Sequence, residues 1–207
     1  MIDPERTIAA QATAAGQGAI AVIRMSGTRC TDVLGICTPV GFPARLRPRC
    51  ATLTHILEED GSPIDQVLVT HFPAPASYTG EDTVEISCHG GMLVTERLLK
   101  RLYQCGASPA EPGEFTKRAF LNGRMDLTQA EAVMDMISAD GKQGAALANA
   151  SLSGALAKKI GAEKEALTGL QAHLAAWVDF PEEDVPELDD AHLHTVCLLY
   201  TSPSPRD

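Results

Sequence analysis

The sequence predicts an α+β fold: two strands, a helix, three strands and a helix (β2-α-β3-α), followed by the first long helices of an all-α domain. Three observations carry this. Two strand-like runs, Thr7 to Thr13 and Ala19 to Ser26, stand close together near the start. Further extended segments gather between Cys50 and His89. Beyond the stretch from Glu111 to Asp135, which holds two helix starts and a helix stop, only helical periodicity remains.

In chain order, the run A-I-A-V-I-R-M-S is nearly continuous in apolar residues and suits a buried central strand. It closes on Arg24, a strand-end charge that serves either as a rim residue or as a ligand contact. Thr28 to Cys37 makes a short helix with Cys30, Val33, Leu34 and Cys37 inward, weakened by Gly35. Thr38 to Pro48, with Pro39, Gly41 and Pro43, is a loop. Cys50 to Leu57 and Ile64 to Phe72 flank E-E-D-G-S-P and form a hairpin. Pro73 to Gly80 is a rigid, exposed loop, a favoured place for binding groups. Thr83 to His89 is the last strand, with Val84, Ile86 and Cys88 on one face and Glu85 and Ser87 on the other. His89-Gly90-Gly91 then leads into a helix from Met92 to Cys105 with Leu93, Leu98 and Leu102 inward. Strand, glycine pair and helix start fit either a phosphate-binding turn or a plain tight turn.

In the hinge, Pro112 suits a first helical turn and Glu114 favours the helix dipole. Phe115, Ala119 and Phe120 fall on one face, and Asn122-Gly123 is a stop. Thr128 and Glu131 read as a capping box for a helix with Leu127, Ala130, Met134 and Ile137 in register. Lys142 to Phe180 reads as one helical tract about 50 Å long at ~1.5 Å per residue. Its stripe of Leu156, Ile160, Leu167, Leu170, Leu174, Trp177 and Val178 needs partners along its length. The tract is expected to stop at D-F-P-E-E-D. Val196 to Asp207 has no amphipathic pattern and reads as a read-through or assembly scar. The expected division is 1–118, 119–195 and a non-native 196–207.

Composition narrows the class. With 44% apolar residues in 207, a real core is possible, but one Trp, three Tyr and five Phe leave it to aliphatic side chains. A net charge of −10 argues against strong non-specific binding of nucleic acid, though Lys117, Arg118 and Arg124 form a local basic cluster in sequence. Six cysteines show neither C-x-x-C nor metal-ligand spacing, and no N-terminal apolar segment precedes them. The expectation is reduced thiols in a soluble, cytoplasmic protein.

The longer motifs point to a family. T-I-A-A-Q-A-T, G-A-I-A-V-I-R-M-S-G, Y-T-G-E-D-T-V-E-I-S-C-H-G-G, P-G-E-F-T-K-R-A-F-L-N-G-R-M-D-L-T-Q-A-E-A-V and D-F-P-E-E-D occur in order over about residues 7 to 190. In them the chain resembles the N-terminal part of the bacterial tRNA uridine-modification GTPases, the MnmE (or TrmE) family. The resemblance implies a folate-binding N-terminal domain, similar to half of an aminomethyltransferase folate domain. Two such domains pair in the family, with 5-formyl-tetrahydrofolate at the dimer interface. A helical domain follows, into which a GTPase domain using GTP, Mg2+ and K+ is inserted. The whole protein works with the FAD-dependent partner MnmG to build an aminomethyl-type group on C5 of the wobble uridine of certain tRNAs. The family's folate contacts fall on Arg24 in A-V-I-R-M-S, Glu85 in E-D-T-V-E-I and Arg124 in L-N-G-R-M-D-L, where the family often has lysine. A pterin edge offers N–H donors to a carboxylate, and a glutamate tail offers carboxylates to arginine. The resemblance implies no catalytic residue and no metal ligand in these residues.

Two departures accompany it. Ala14-Ala15 stand where the family usually has prolines, and no G-x-x-x-x-G-K-[ST] occurs, so this stretch is expected neither to bind nor to hydrolyse GTP. The family's C-terminal cysteine-containing motif is absent as well. The chain reads as the first part of a longer enzyme. A stand-alone folate-dependent one-carbon transferase and a structural dimerisation module are the alternatives; the hinge and long helix have no role in the first, and folate binding separates the second.

Overall fold

The computed structural model describes residues 6–179. Contacts divide the chain into two units, Met1–Met125 and Asp126–Asp207.

The first unit runs β1 (Ile8–Gln11), β2 (Ile20–Ser26), α1 (Cys30–Cys37), β3 (Thr52–Leu57), β4 (Pro63–Phe72), β5 (Thr83–His89), α2 (Met92–Gln104), β6 (Ser108–Pro109) and α3 (Glu114–Leu121). Its six strands lie in the order β3-β4-β5-β2-β1-β6. The β2-α-β3-α order is therefore present, with the apolar run of β2 inside the sheet between β1 and β5. β5 is not the last strand, as the sequence suggested. Ser108–Pro109 adds a parallel edge beside β1, through Ser108 N–H to Thr7 O at 2.8 Å and Ala110 N–H to Ala9 O at 3.1 Å. Two residues including a proline give no strand periodicity, which is why the sequence hides it.

Alternation decides the two faces of the sheet. Ala21, Ile23, Met25, Val67, Val69, Val84, Ile86 and Cys88 point into one core, closed by Cys30, Val33, Leu34 and Cys37 of α1 and Leu98 and Leu102 of α2. Each of the Val, Leu, Ile and Met side chains among them, fully buried, contributes about 1.5–3 kcal/mol by leaving water. The inward face of α1 is the expected one. On α2, Leu93 is exposed, and Thr95 joins Leu98 and Leu102 instead. At about 100° per residue, position 93 lies about 140° away from position 98, off the buried stripe. The opposite sheet face carries Val22, Arg24, Thr70, Glu85 and Ser87 in register, with Arg24 paired to Glu85 and Glu85 to Thr70.

The glycine pair after β5 serves packing. A Cβ on Gly90 would stand 2.5 Å from Gly18 O, and Gly18 N–H reaches Gly90 O at 3.0 Å. Gly90 thus lets the start of β2 and the end of β5 close on each other, the tight-turn alternative.

The second unit holds α4 (Leu127–Ser138), α5 (Lys142–Leu152) and α6 (Ala155–Asp179). The single tract expected from Lys142 is two helices. Gly154, at φ +78°, turns the chain, while Gln129 Nε2 donates to Leu152 O at 2.8 Å and terminates α5. The capping box is also displaced from Thr128 and Glu131. Asp126 Oδ1 accepts from Gln129 N–H at 2.9 Å, and Gln129 Oε1 accepts from Asp126 N–H at 2.9 Å. Thr128 is already helical and donates to Asp126 Oδ1 at 2.6 Å. Leu127, Met134 and Ile137 are exposed on α4, and no described residue of α6 is buried. No described helix is long and apolar enough to cross a membrane. The expected stop at D-F-P-E-E-D, beyond Asp179, and the tail 196–207 lie outside the described residues.

Candidate ligand-binding site

Arg24 and Glu85 face each other on the sheet surface away from α1 and α2. The guanidinium donates from Nη2 at 2.7 Å and from Nε at 3.0 Å, both to Glu85 Oε1. No hydrogen bond from another described residue reaches Oε2, and none is made by Arg24 Nη1. The pair is partly open, with side-chain exposures of 24% and 29%. Two aromatic rings flank the guanidinium: Tyr78 at 4.9 Å and Phe115 at 5.8 Å from the ring centroids. Such stacking holds a cation in one plane and adds about 0.5–1 kcal/mol where solvent reaches it. The outcome is an oriented charge pair with one free acceptor and one free donor group.

Arg124 is not part of the pair. Its Nε donates to Ser77 O at 3.1 Å, and its stem lies against Gly80, where a Cβ would come within 3.1 Å of Arg124 Cγ. Gly80 has φ +81°, so both the turn and the arginine's approach favour glycine. Arg24 and Arg124 thus meet the same short loop, one through the ring of Tyr78 and the other through Ser77 O. The structure joins two of the expected site residues directly and the third only through that loop.

The loop itself is not simply exposed, as its composition suggested. Ser77 and Thr79 are buried. Ser77 Oγ donates to Glu81 O at 2.5 Å, and Thr79 Oγ1 lies 2.6 Å from Ser26 Oγ. Polar side chains there bond inward to the backbone and to β2, which sequence composition alone does not reveal. The loop also joins a charge network whose centre, Glu114 and Arg118, is buried. Arg118 donates to Glu81 Oε2 at 3.0 Å and to Glu114 Oε1 at 3.0 Å, and Arg6 donates to both Glu114 oxygens at 2.9 and 3.0 Å. Burial alone would raise the Glu114 pKa, but the Glu111 N–H and the two guanidiniums outweigh it and hold the carboxyl below its usual range.

This corrects the reading of α3 in three ways. Its inward face is Glu114, Arg118 and Ala119, whereas Phe120 is exposed. Arg118 is sequestered by two carboxylates and does not belong to a basic surface patch with Lys117. Pro112 precedes the helix, whose N-cap is Gly113 at φ +72°. In the first two cases ion pairs with residues far away in sequence, Arg6 with Glu114 and Glu81 with Arg118, overrode the apolar pattern. Tyr78, Phe115 and Glu81 are the site neighbours that motif reading passed over. The available signal was economy: a chain with nine aromatic residues (one Trp, three Tyr and five Phe) places three of them, Tyr78, Phe115 and Phe120, in its two longest motifs.

The five described cysteines carry free thiols. Burial pushes the Cys30 thiol up to about 12, with Asp82 and Glu81 adding to it, so it stays protonated at neutral pH.

Comparison with known proteins gives matches along most of the chain. A family model described as GTP-binding protein TrmE N-terminus matches residues 7–124, and one described as MnmE helical domain matches residues 127–199. A tRNA modification GTPase MnmE from Akkermansia muciniphila is 69% identical over 185 residues, covering 89% of this chain and 41% of that protein. The protein of the same name from Symbiobacterium thermophilum is 48% identical over 184 residues, covering 86% and 40%. That from Neisseria gonorrhoeae is 46% identical over 194 residues, covering 92% and 42%. The chain spans about two-fifths of the length of these curated relatives.

Proposed function

The chain belongs to the MnmE (TrmE) family of tRNA modification GTPases, and on that footing we propose that its first unit binds 5-formyl-tetrahydrofolate at Arg24 and Glu85. The observation that carries this is the unused Glu85 Oε2 beside an arginine already fixed by two hydrogen bonds and two rings. A pterin edge, with adjacent N–H donors, suits such a carboxylate oxygen. Arg24 holds the Glu85 carboxylate in a fixed orientation, and its free Nη1 offers a donor to a ring carbonyl. Arg124 uses Nε on the loop, and its two terminal nitrogens, without a hydrogen bond to a described residue, suit the carboxylates of the glutamate tail. When bound, the folate supplies a one-carbon unit; these residues hold and orient it.

The wider assignment follows the relatives. Within a full-length protein the unit acts in a tRNA modification GTPase, pairing with a second copy and with MnmG in the cytoplasm. There the wobble uridine of tRNA receives the aminomethyl-type group, while GTP, Mg2+ and K+ are handled by a GTPase domain. The resemblance supports these roles; the sequence supports the division of labour, since it contains no phosphate-cradling lysine motif.

Calorimetric titration of 5-formyl-tetrahydrofolate into the chain tests the reading. Glu85→Gln and Arg24→Gln are each expected to weaken binding about tenfold to a hundredfold, with circular dichroism unchanged. Unaltered affinity in both variants overturns the site.

A further inference from the structure

α3 and the residues after it fasten the loop above Arg24 at four successive points. Thr116 Oγ1 lies 2.9 Å from Tyr78 Oη. Arg118 donates to Glu81, at 3.0 Å to Oε2. Asn122 Nδ2 donates to Thr79 O at 2.8 Å. Arg124 Nε donates to Ser77 O at 3.1 Å. Three of these join P-G-E-F-T-K-R-A-F-L-N-G-R to Y-T-G-E-D, and the fourth reaches Ser77 just before it; the folate reading uses Arg124 and the two rings of these stretches and leaves the bonds between them unassigned.

We infer that this clasp positions the binding site, with Thr116 holding the ring of Tyr78 over the Arg24 guanidinium; the inference deepens the folate reading and rests on it for its ligand. Tyr78 is the one loop residue that reaches the charge pair, and its ring has two ways to be held. Stacking on Arg24 fixes its distance, at 4.9 Å from the guanidinium carbon to the centroid. The hydroxyl bond to Thr116 fixes its tilt. Phe115, adjacent to Thr116 on α3, supplies the second ring, at 5.8 Å from the Arg24 guanidinium carbon. The same helical turn therefore sets both aromatic neighbours. An arginine left to swing would lose the alignment that leaves Glu85 Oε2 free, because a guanidinium donates equally well to either carboxylate oxygen. Tyr78 and Thr116 are in this sense positioning residues: neither is required to touch the ligand.

The test compares Tyr78→Phe, Thr116→Val and the double variant in the full chain, with Thr116→Ser as the rescue. Each single change removes the hydroxyl bond and keeps the ring. Two readouts are taken. Without ligand, the Arg24 Nε–H resonance, shifted by the ring current of Tyr78, is expected to move to the same new position in both single variants and the double. It should return in Thr116→Ser. With 5-formyl-tetrahydrofolate, each single variant is expected to bind about three- to tenfold more weakly, the double no more weakly than either, and Thr116→Ser as the parent does. An unmoved resonance, or losses that add in the double variant, overturns the clasp as a positioning device. If the parent chain fails to bind folate while the resonances behave as expected, the ligand assignment falls and the clasp stands.

Discussion

Leu102 in α2 is completely buried, whereas Leu167, on an equally regular apolar stripe in α6, is 43% exposed. The same contrast holds across the two units. In the first, a sheet with two covering helices encloses an aliphatic core, and a four-member ion network has Glu114 and Arg118 buried at its centre. In the second, Ala132 and Ala148 are the buried residues of α4 and α5, while Leu127, Met134, Ile137, Leu147, Ile160 and Trp177 meet solvent. Helical periodicity thus marks where a face is apolar without saying what covers it. Strand alternation is more informative, because neighbouring strands and the helices above them settle both faces at once.

The contrast is most sharply broken at Arg118. Arg118→Ala leaves the half-buried Glu81 and the buried Glu114 without the cation between them, and a loss of about 3–5 kcal/mol is expected in urea unfolding of the first unit. A loss under about 1 kcal/mol would show that water already screens the network. Matched truncations come next. Leu102→Ala should cost about 2–5 kcal/mol, and Leu167→Ala well under that, since a half-exposed side chain has less to lose. Equal costs in denaturation midpoints would mean that the helical unit has a core of its own.

Acid should separate the units as well. The lowered pKa of Glu114 means that its ionised form is the one the fold favours. Its contribution is fully present above the ordinary carboxylate range and is lost as pH falls through the lower folded value. Urea midpoints for the first unit should therefore drop steeply below about pH 4, and Glu114→Gln should start lower and flatten the profile. The smallest effect is expected at Asp126. Asp126→Ala removes the N-cap of α4, lowering helicity and the melting temperature slightly, without touching folate binding; a change in affinity would tie the cap to the site.

Much of this fold can be read from the chain because it depends on local alternation. Val84, Ile86 and Cys88 against Glu85 and Ser87 define β5 and its faces, and Cys30, Val33, Leu34 and Cys37 define α1. The departures share a cause, contacts distant in sequence. β6 exists through its pairing with β1, α3 turns a charged face inward to meet Glu81 and Arg6, and Gln129 ends α5 at Leu152 from the preceding helix. The site divides similarly. Arg24 and Glu85 stood out by motif and prove to be directly paired, while the rings of Tyr78 and Phe115 come into view only when the loop and α3 are folded together. Arg124, which the motif assigns to a ligand, is also tied to the loop through Ser77 O.

The direct test of the account is a side-by-side calorimetric titration of 5-formyl-tetrahydrofolate into the 207-residue chain and into a chain ending at Met125. If the charge pair, its rings and the clasp make up the site, the two should bind with affinities equal within about twofold, the shorter one retaining the circular dichroism of a folded α/β unit. Binding by the longer chain alone, with the shorter one folded, or by neither, would contradict it.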